Sequence, residues 1–261
     1  MTSFDTLQHL AERLRLAERS VTAIAPLSSA FEPNDIASAY AVQAINVKHG
    51  VDHGRRLVGR KVGLTSKAIQ QQFGVDQPDY GALFTDMEVE HDGQLSRAAL
   101  IQPRIETEVA LVLGRDIEHP DVGMAELMRS VAFVLPAMEI VDSRIADWKI
   151  NILDTIADNG SSARYVLGLT PRLLTDLDLE TCGMQMTCNG TTVSLGAGAA
   201  CLGHPLKAAL WLARTMAANS TPLRAGDLVL SGALGVAAPA RAGETYEGRI
   251  SGLGSVKVHF T

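Results

Sequence analysis

The chain has 261 residues, of which 46% are hydrophobic and 20% charged, and its formal net charge is -6. This composition is typical of a folded protein and excludes a largely disordered chain. The charge is not gathered into a long basic or acidic block, so we expect no nucleic-acid partner. An anionic substrate would need a local positive centre, such as a metal ion or a lysine.

Three features of the sequence bear on the compartment. The 3 cysteines are an odd number without paired metal-ligand spacing, which fits a reducing environment. The first ten residues lack the basic and apolar segments of a secretory signal peptide. No stretch approaches the roughly 18 consecutive apolar residues of a membrane span. We therefore expect a cytoplasmic protein without a membrane segment.

Two helices are predicted at the start of the chain. Residues 5–20 carry leucines at helical spacing among charged residues, and residues 34–49 follow a Pro-Asn-Asp start. We expect these helices to form an N-terminal lobe, residues 1–53, packed on a catalytic body of residues 54–261.

The predicted body is rich in strands. Helical periodicity predicts a short helix ending at residues 73–74 and longer ones near 124–131 and 205–219. Apolar runs bounded by turn residues predict strands at residues 57–65, 105–113, 133–141, 163–167, 184–188, 228–231, 246–250 and 256–260. Because helices and strands do not alternate regularly, the pattern favours an α+β fold over a doubly wound sheet.

Two glutamates in an apolar strand are the strongest chemical signal. Glu106 and Glu108 are two residues apart, so in a strand both carboxylates point to the same face. That face continues through Ala110 and Val112, and we therefore expect it to be interior. Like charges in an apolar setting require protonation, cationic partners or a metal ion.

A third carboxylate, Glu139, lies in the next apolar strand. Three carboxylates without a neighbouring Cys or His form an all-oxygen ligand set, which suits Mg²⁺ or Mn²⁺ rather than zinc. The alternative is that Glu106 and Glu108 lie on a solvent-exposed strand face, and their spacing does not decide between the two.

Polar residues between the apolar runs are candidates for acid–base chemistry. Lys61 is either a buried proton donor or carboxylate anchor, or an edge-strand residue whose ammonium reaches water. Asp79 lies in a predicted turn at residues 76–81, where an aspartate commonly caps backbone amides. A later polar cluster is either a plain loop or part of a ligand site. Its members are Asp154, Asp158, Asn159, Ser161 and Ser162.

Nucleophilic and nucleotide chemistries have little support. No histidine lies within residues 54–90 or 120–203, which argues against Ser-His-Asp and Cys-His systems. The sequence contains neither a glycine-rich dinucleotide fingerprint nor a P-loop. The residues therefore favour metal-assisted acid–base chemistry.

Six motifs in order along the chain resemble those of the 2-hydroxypenta-2,4-dienoate (2-keto-4-pentenoate) hydratases of the fumarylacetoacetate hydrolase superfamily. These enzymes act in the meta-cleavage breakdown of aromatic compounds. Each motif is weak alone, but the ordered set is specific. The motifs are Val-Gly-Arg-Lys-Val-Gly-Leu-Thr (58–65), Gly-Val-Asp-Gln-Pro-Asp-Tyr-Gly (74–81), Gln-Pro-Arg-Ile-Glu-Thr-Glu (102–108), Leu-Pro-Ala-Met-Glu-Ile-Val-Asp-Ser-Arg (135–144), Asp-Thr-Ile-Ala-Asp-Asn-Gly-Ser-Ser (154–162) and Leu-Gly-His-Pro (202–205).

The resemblance implies a mixed β-roll or distorted barrel core with flanking helices, of the fumarylacetoacetate hydrolase C-terminal type. It implies Mg²⁺ or Mn²⁺ on the three glutamates, with Lys61, Asp79 and Ser161 as the polar groups of the active site. It also implies a homo-oligomer, pentameric or decameric, and a 2-hydroxy-2,4-dienoate substrate.

The expected reaction is the metal-dependent hydration of 2-hydroxypenta-2,4-dienoate to 4-hydroxy-2-oxopentanoate, a hydro-lyase activity. In it Lys61 would move a proton or hold the enolate, and Asp79 would activate water. One alternative is the related 4-oxalocrotonate decarboxylases, which share the glutamates and the lysine but tend to have an apolar residue where Asp79 stands. The other is a catalytically silent homologue that binds 2-oxo acids.

Overall fold

The computed structural model describes residues 2–67, 70–71 and 75–261. The short helix predicted to end at residues 73–74 lies largely outside the described residues. Helices elsewhere cover Phe4–Ser20 (α1), Ile36–Asp52 (α2), Met124–Ser130 (α3), Ile152–Ala157 (α4) and Pro205–Ala218 (α5). None of the described helices combines the length and the apolar character needed to cross a membrane.

Strands form two sheets, which confirms the predicted α+β class. The strands are Leu57–Gly63 (β1), Asp79–Phe84 (β2), Glu88–Val89 (β3), Gly93–Leu95 (β4), Arg104–Leu113 (β5), Val131–Val141 (β6), Ser162–Leu167 (β7), Gly183–Cys188 (β8), Thr191–Ala197 (β9), Leu228–Ala233 (β10), Ala238–Pro239 (β11), Thr245–Ile250 (β12) and Gly254–Phe260 (β13). The larger sheet has the order β2-β1-β10-β5-β6-β7-β3, with β11 paired to β5, and the smaller has the order β4-β13-β12-β8-β9.

The central strand β5 is buried on both faces, since its alternate residues enter different cores. Ile105, Val109 and Leu111 pack in the main core with the smaller sheet and α5, whereas Ala110 packs in a second cluster. That second cluster draws on strands from both ends of the larger sheet, for example Leu83 of β2 and Tyr165 of β7. The larger sheet is therefore curled, and the face that carries Glu106 and Glu108 lines its inside.

Helices α1 and α2 share a third core with residues 145–157. Leu10 and Leu14 of α1, Val42 of α2 and Ile156 of α4 are buried there. The N-terminal helices thus pack directly on the segment that follows β6. The division of the chain into a lobe at residues 1–53 and a body at 54–261 stays a prediction.

Two local predictions need correction. The predicted turn at residues 76–81 is a strand from Asp79 onward, because the turn chemistry of Pro78 acts only before the mostly buried run that pairs with β1 as β2. The start of the polar cluster at 154–162 is helical: α4 begins after the Asn151 cap, and all of its residues are buried. The short strands β3, β4 and β11 were not predicted, and neither was β9, which lies at an edge of the smaller sheet.

Candidate active site

The three glutamates lie on two neighbouring antiparallel strands. Glu106 of β5 stands opposite Glu139 of β6, and Glu108 follows two residues later on the same face. One carboxylate oxygen from each of the three lies within 4.8 Å of the others. Glu108 and Glu139 are 0% and 1% exposed, and Glu106 is half-buried, so the cluster opens to solvent at its Glu106 end.

Two buried oxygens of this cluster have no hydrogen-bond partner among the described residues. Oε2 of Glu108 accepts the Gly232 N–H at 2.8 Å, and Oε2 of Glu139 lies 3.5 Å from Nζ of Lys61. The two oxygens without such a partner are the Oε1 atoms of the same glutamates. Buried carboxylates are normally paired or bound to a metal. The residues therefore fit a hard divalent cation that prefers oxygen ligands.

Burial and the neighbouring carboxylates raise the pKa values of two members of the cluster, Glu106 and Glu108. Burial, together with the charge of Glu139, raises the pKa of Glu106 to about 7. Burial likewise raises the pKa of Glu108 well above its usual range, and the charges of Glu139 and Glu106 add to the effect. The metal-free cluster therefore holds protons at pH values where exposed glutamates are ionised, and a bound cation would displace them.

This shift predicts opposite pH trends for the metal-free and metal-bound protein. The folded pKa of Glu106 is raised from its ordinary 4.5 to about 7, so the folded state binds more protons than the unfolded state between these values. The free energy of unfolding of the metal-free protein should therefore fall as pH rises through this window. Stabilisation by Mg²⁺ should grow over the same window, because fewer protons compete with the ion.

Thermal melts in chelator and in saturating Mg²⁺ at about pH 5.5, 6.5 and 7.5 test both trends. An Mg²⁺-induced shift in Tm that is the same at all three pH values would contradict the raised pKa values of Glu106 and Glu108.

The curl of the larger sheet brings Lys61 to the glutamates. Lys61 lies on β1, which is separated from β6 by β10 and β5 in the sheet order. In a flat sheet, three strand spacings of about 4.8 Å would hold these strands about 14 Å apart. The side chains of Lys61 and Glu139 nevertheless reach 3.5 Å.

Lys61 is buried, with 4% of its surface exposed, and does not reach water along an edge strand. Burial alone would lower its pKa, but Glu139, Asp79, Glu106 and Glu108 together raise it above its ordinary value. Lys61 is therefore an ammonium ion at neutral pH. In this state it can donate a proton or hold an anion.

The Asp79 carboxylate and the Lys61 ammonium both lie close to Gly63. Asp79 is the first residue of β2, stands opposite Gly63 and is 1% exposed. A Cβ on Gly63 would lie 2.2 Å from Oδ1 of Asp79 and 3.3 Å from Nζ of Lys61, so a larger residue there would displace the Asp79 carboxylate. Oδ2 of Asp79 accepts the Thr155 hydroxyl at 3.2 Å, while Oδ1 is buried and has no hydrogen-bond partner within the part of the chain that the structure describes. Burial raises the pKa of Asp79, and the charge of Lys61 opposes that rise.

Ser161 lies in the turn beside Lys61, but its hydroxyl points elsewhere. The residue is 2% exposed, and its Oγ donates to Oδ2 of Asp158 at 3.5 Å. Its neighbour Gly160 approaches the lysine instead: a Cβ there would lie 2.6 Å from Cε of Lys61. The structure therefore brings five of the six predicted site residues together and places the sixth, Ser161, one residue away from direct contact.

Sequence reasoning missed several groups at the site. Thr155 binds Asp79, and the backbone of Gly232 binds Glu108. Thr155 lies in the polar cluster at residues 154–162, and Gly232 directly follows the predicted strand at 228–231. Spacing along the chain did not indicate that they contact Asp79 and Glu108. The polar cluster also contains a purely structural member, because Oδ1 of Asp154 accepts the backbone N–H groups of Leu27 and Ser28.

Comparison with known proteins places the chain in a family. The profile described as fumarylacetoacetate (FAA) hydrolase C-terminal matches residues 58–261. The chain belongs to the fumarylacetoacetate hydrolase family. This confirms the resemblance seen in the sequence motifs and the expected type of core.

Three relatives span the full length of the chain. It is 49% identical to a TodF product hydratase of Pseudomonas putida, over 100% of this chain and 99% of that protein. It is 49% identical to a 2-keto-4-pentenoate hydratase of Paraburkholderia phymatum, over 100% of both. The solved structure of 4-oxalocrotonate decarboxylase from Pseudomonas putida G7, complexed with magnesium and adipate, aligns with a TM-score of 0.96 at 34% identity. That alignment covers 100% of this chain and 99% of the decarboxylase.

Proposed function

We propose that the protein is a hydro-lyase that adds water to 2-hydroxypenta-2,4-dienoate and yields 4-hydroxy-2-oxopentanoate. One observation carries this proposal: Oδ1 of Asp79, which has no partner among the described residues, and the ammonium of Lys61 both border Gly63, and Lys61 lies 3.5 Å from Glu139 of the three-glutamate cluster. A carboxylate and an ammonium next to an all-oxygen metal site suit the activation of water and the movement of protons. The hydratases at 49% identity support the same reaction.

Glu106, Glu108 and Glu139 would hold the metal ion. A divalent cation bound there supplies Lewis-acid stabilisation of negative charge on the 2-oxygen of the substrate. We propose Mg²⁺ or Mn²⁺, because all three ligands are carboxylates. The magnesium complex of the related decarboxylase supports the choice of a hard divalent ion.

The proton transfers fall to Lys61 and Asp79. Ketonisation of the dienol adds a proton at C5 and removes the proton of the 2-hydroxyl group. Lys61, an ammonium at neutral pH, can donate the proton to C5 and then take up the one that the 2-hydroxyl group loses, or it can stabilise the enolate oxygen. Water then adds at C4 of the resulting enone. Asp79 accepts the proton that water loses, and C3 takes up a proton to complete the 4-hydroxy-2-oxo acid.

Ultraviolet spectroscopy of dienoate consumption, with and without added Mg²⁺, tests the proposal when combined with product analysis. We expect Mg²⁺-dependent loss of the dienoate absorbance and formation of 4-hydroxy-2-oxopentanoate. Release of CO₂ from a 2-oxo-3-enedioate would instead assign the protein to the decarboxylases. A protein that binds a 2-oxo acid but leaves both substrates unchanged would be catalytically silent.

We also propose a homo-oligomer, pentameric or decameric, and a cytoplasmic location. The first follows the resemblance to the family, and sedimentation of the purified protein tests it. The second is supported by the three cysteines, all free in the structure, which fit a reducing compartment.

A further inference from the structure

Residues 159–161 form a turn beside Lys61 whose backbone conformation is unfavourable for residues other than glycine. Asn159, Gly160 and Ser161 all have left-handed φ angles, 58°, 60° and 55° respectively. For a residue other than glycine this conformation is disfavoured, because Cβ comes too close to the following carbonyl oxygen, and asparagine tolerates it better than serine. Runs of such residues persist only where the surroundings fix them.

Arg144 fixes both ends of this turn. Its Nε donates to Oδ1 of Asp158 at 2.5 Å, and one terminal nitrogen donates to the Asp158 carbonyl at 2.5 Å. The other terminal nitrogen donates to the carbonyls of Ser162 at 3.2 Å and Asp142 at 2.8 Å. A buried guanidinium thus joins the residue before the turn to the residue after it.

Asp158 and Asn159 complete the hold on the turn. Oδ2 of Asp158 accepts the Arg144 backbone N–H at 3.0 Å and the Ser161 hydroxyl at 3.5 Å. The side-chain amide of Asn159 imitates a strand partner: its Oδ1 accepts the Ala82 N–H at 2.7 Å, and its Nδ2 donates to the Ala82 carbonyl at 2.9 Å. The turn is therefore tied to β2 as well as to the segment after β6.

Residues 159–161 contact the end of the Lys61 side chain. A Cβ on Gly160 would lie 2.6 Å from Cε and 3.0 Å from Nζ of Lys61, so the backbone of Gly160 lies directly against the end of the lysine side chain. The turn also lies directly against β2, because a Cβ on Gly81 would lie 2.2 Å from the Asn159 carbonyl oxygen. Displacement of the turn would therefore release Lys61 from its position near Glu139.

We propose that Arg144 and Asp158 are positioning residues for Lys61, which hold residues 159–161 in a left-handed turn that directs the ammonium toward Glu139 and Asp79. The kinetic part of this inference rests on the proposed hydratase function, whereas the structural part does not. We call the hydrogen bonds that Arg144, Asp158 and Asn159 make around this turn the clamp. A small misplacement of a catalytic group can lower turnover about 10²-fold, so loss of the clamp should lower kcat and leave metal binding unchanged.

Two variants weaken the clamp without deleting a side chain. Arg144→Lys keeps the charge, but a single ammonium cannot bridge the carbonyls of Asp158, Ser162 and Asp142 as the planar guanidinium does. Asn159→Asp keeps the shape but replaces the Nδ2 donor with a charged carboxylate oxygen that faces the Ala82 carbonyl, so it serves if Arg144→Lys fails to fold. Lys61→Met serves as the reference for the activity that remains without the ammonium. Arg55→Lys, at the ion pair with Asp86 that has no part in the turn, is the matched control.

Three measurements on the full-length protein test the clamp: kcat and KM, the Mg²⁺-induced shift in Tm, and lysine acetylation followed by mass spectrometry. We expect the clamp variants to lose about 10–100-fold in kcat, approaching Lys61→Met, with the Mg²⁺ shift retained. Acetylation of Lys61 should accelerate about tenfold relative to the exposed Lys48 and Lys149, since the released side chain becomes accessible. Arg55→Lys should match the wild type.

Acetylation of Lys61 and kcat at wild-type values in both clamp variants would overturn the proposal, whatever their loss of Tm. A merely structural ion pair would give that result. If the wild type does not hydrate the dienoate, the proposed function fails, and the acetylation rates alone decide whether the clamp positions Lys61.

Discussion

We expect Glu108→Gln to abolish metal-dependent turnover and to make the metal-free protein more stable. The substitution keeps the volume of the side chain, and its amide oxygen can still accept the Gly232 N–H that Glu108 accepts at 2.8 Å. It removes one anionic ligand from a cluster whose repulsion and burial already raise the pKa of Glu108. The new amide N–H group can also donate to the remaining carboxylates, which relieves the repulsion.

The size of the effect follows from what a metal ion contributes. Lewis-acid stabilisation is worth several kcal/mol in the transition state, so turnover should fall by about 10³-fold or more. In wild type, Mg²⁺ at about a hundredfold excess over its Kd should add about 2.7 kcal/mol to the free energy of unfolding. For a chain of this size, each kcal/mol corresponds to roughly 2–4 °C in Tm.

Thermal melts in chelator and in Mg²⁺, with parallel rate measurements, check this expectation. Glu12→Gln, the same chemical change at an exposed position of α1, is the control and should retain both the Mg²⁺ shift and the activity. If the wild type gains no stability at saturating Mg²⁺, or if Glu108→Gln gains as much as the wild type, the three glutamates do not form the metal site.

The carboxylate cluster could be predicted from the sequence because it depends on local geometry. The alternation of side chains along a strand places Glu106 and Glu108 on one face, and the apolar residues around them mark that face as interior. Glu139 could be added because consecutive apolar runs tend to pair, and in the structure it stands directly opposite Glu106. These inferences need only a period of two and the adjacency of two strands.

The position of Lys61 could not be predicted in this way. Its burial depends on the curl of a sheet in which two strands separate β1 from β6, and no pattern within β1 encodes that curl. The turn at residues 159–161 depends on Arg144, whose hydrogen bonds reach residues 14 and 18 positions away. Such contacts follow from tertiary packing, so the sequence left Lys61 and the polar cluster with two interpretations each.

Asp79 separates hydration from decarboxylation, and we expect Asp79→Asn to lose hydration by about 10³–10⁴-fold. Hydration must remove a proton from water as it attacks C4. Oδ1 of Asp79 is a buried carboxylate oxygen beside Lys61, and no described residue is its hydrogen-bond partner. Loss of CO₂ from a vinylogous 2-oxo acid needs no activated water, so an aspartate has no essential part in it. An amide has the shape of the carboxylate and can still accept the Thr155 hydroxyl, but it is not a base at neutral pH.

Ketonisation should survive in Asp79→Asn because Lys61 and the three glutamates are unchanged. The variant should therefore still exchange carbon-bound hydrogens of the dienoate with D₂O, as measured by NMR, while it forms no 4-hydroxy-2-oxopentanoate. Asp76→Asn, the same change at an exposed residue just before β2, is the matched control and should hydrate normally. Hydration by Asp79→Asn at the wild-type rate would leave Asp79 with a structural role only, and the choice of hydratase over decarboxylase would lose its main support in the site.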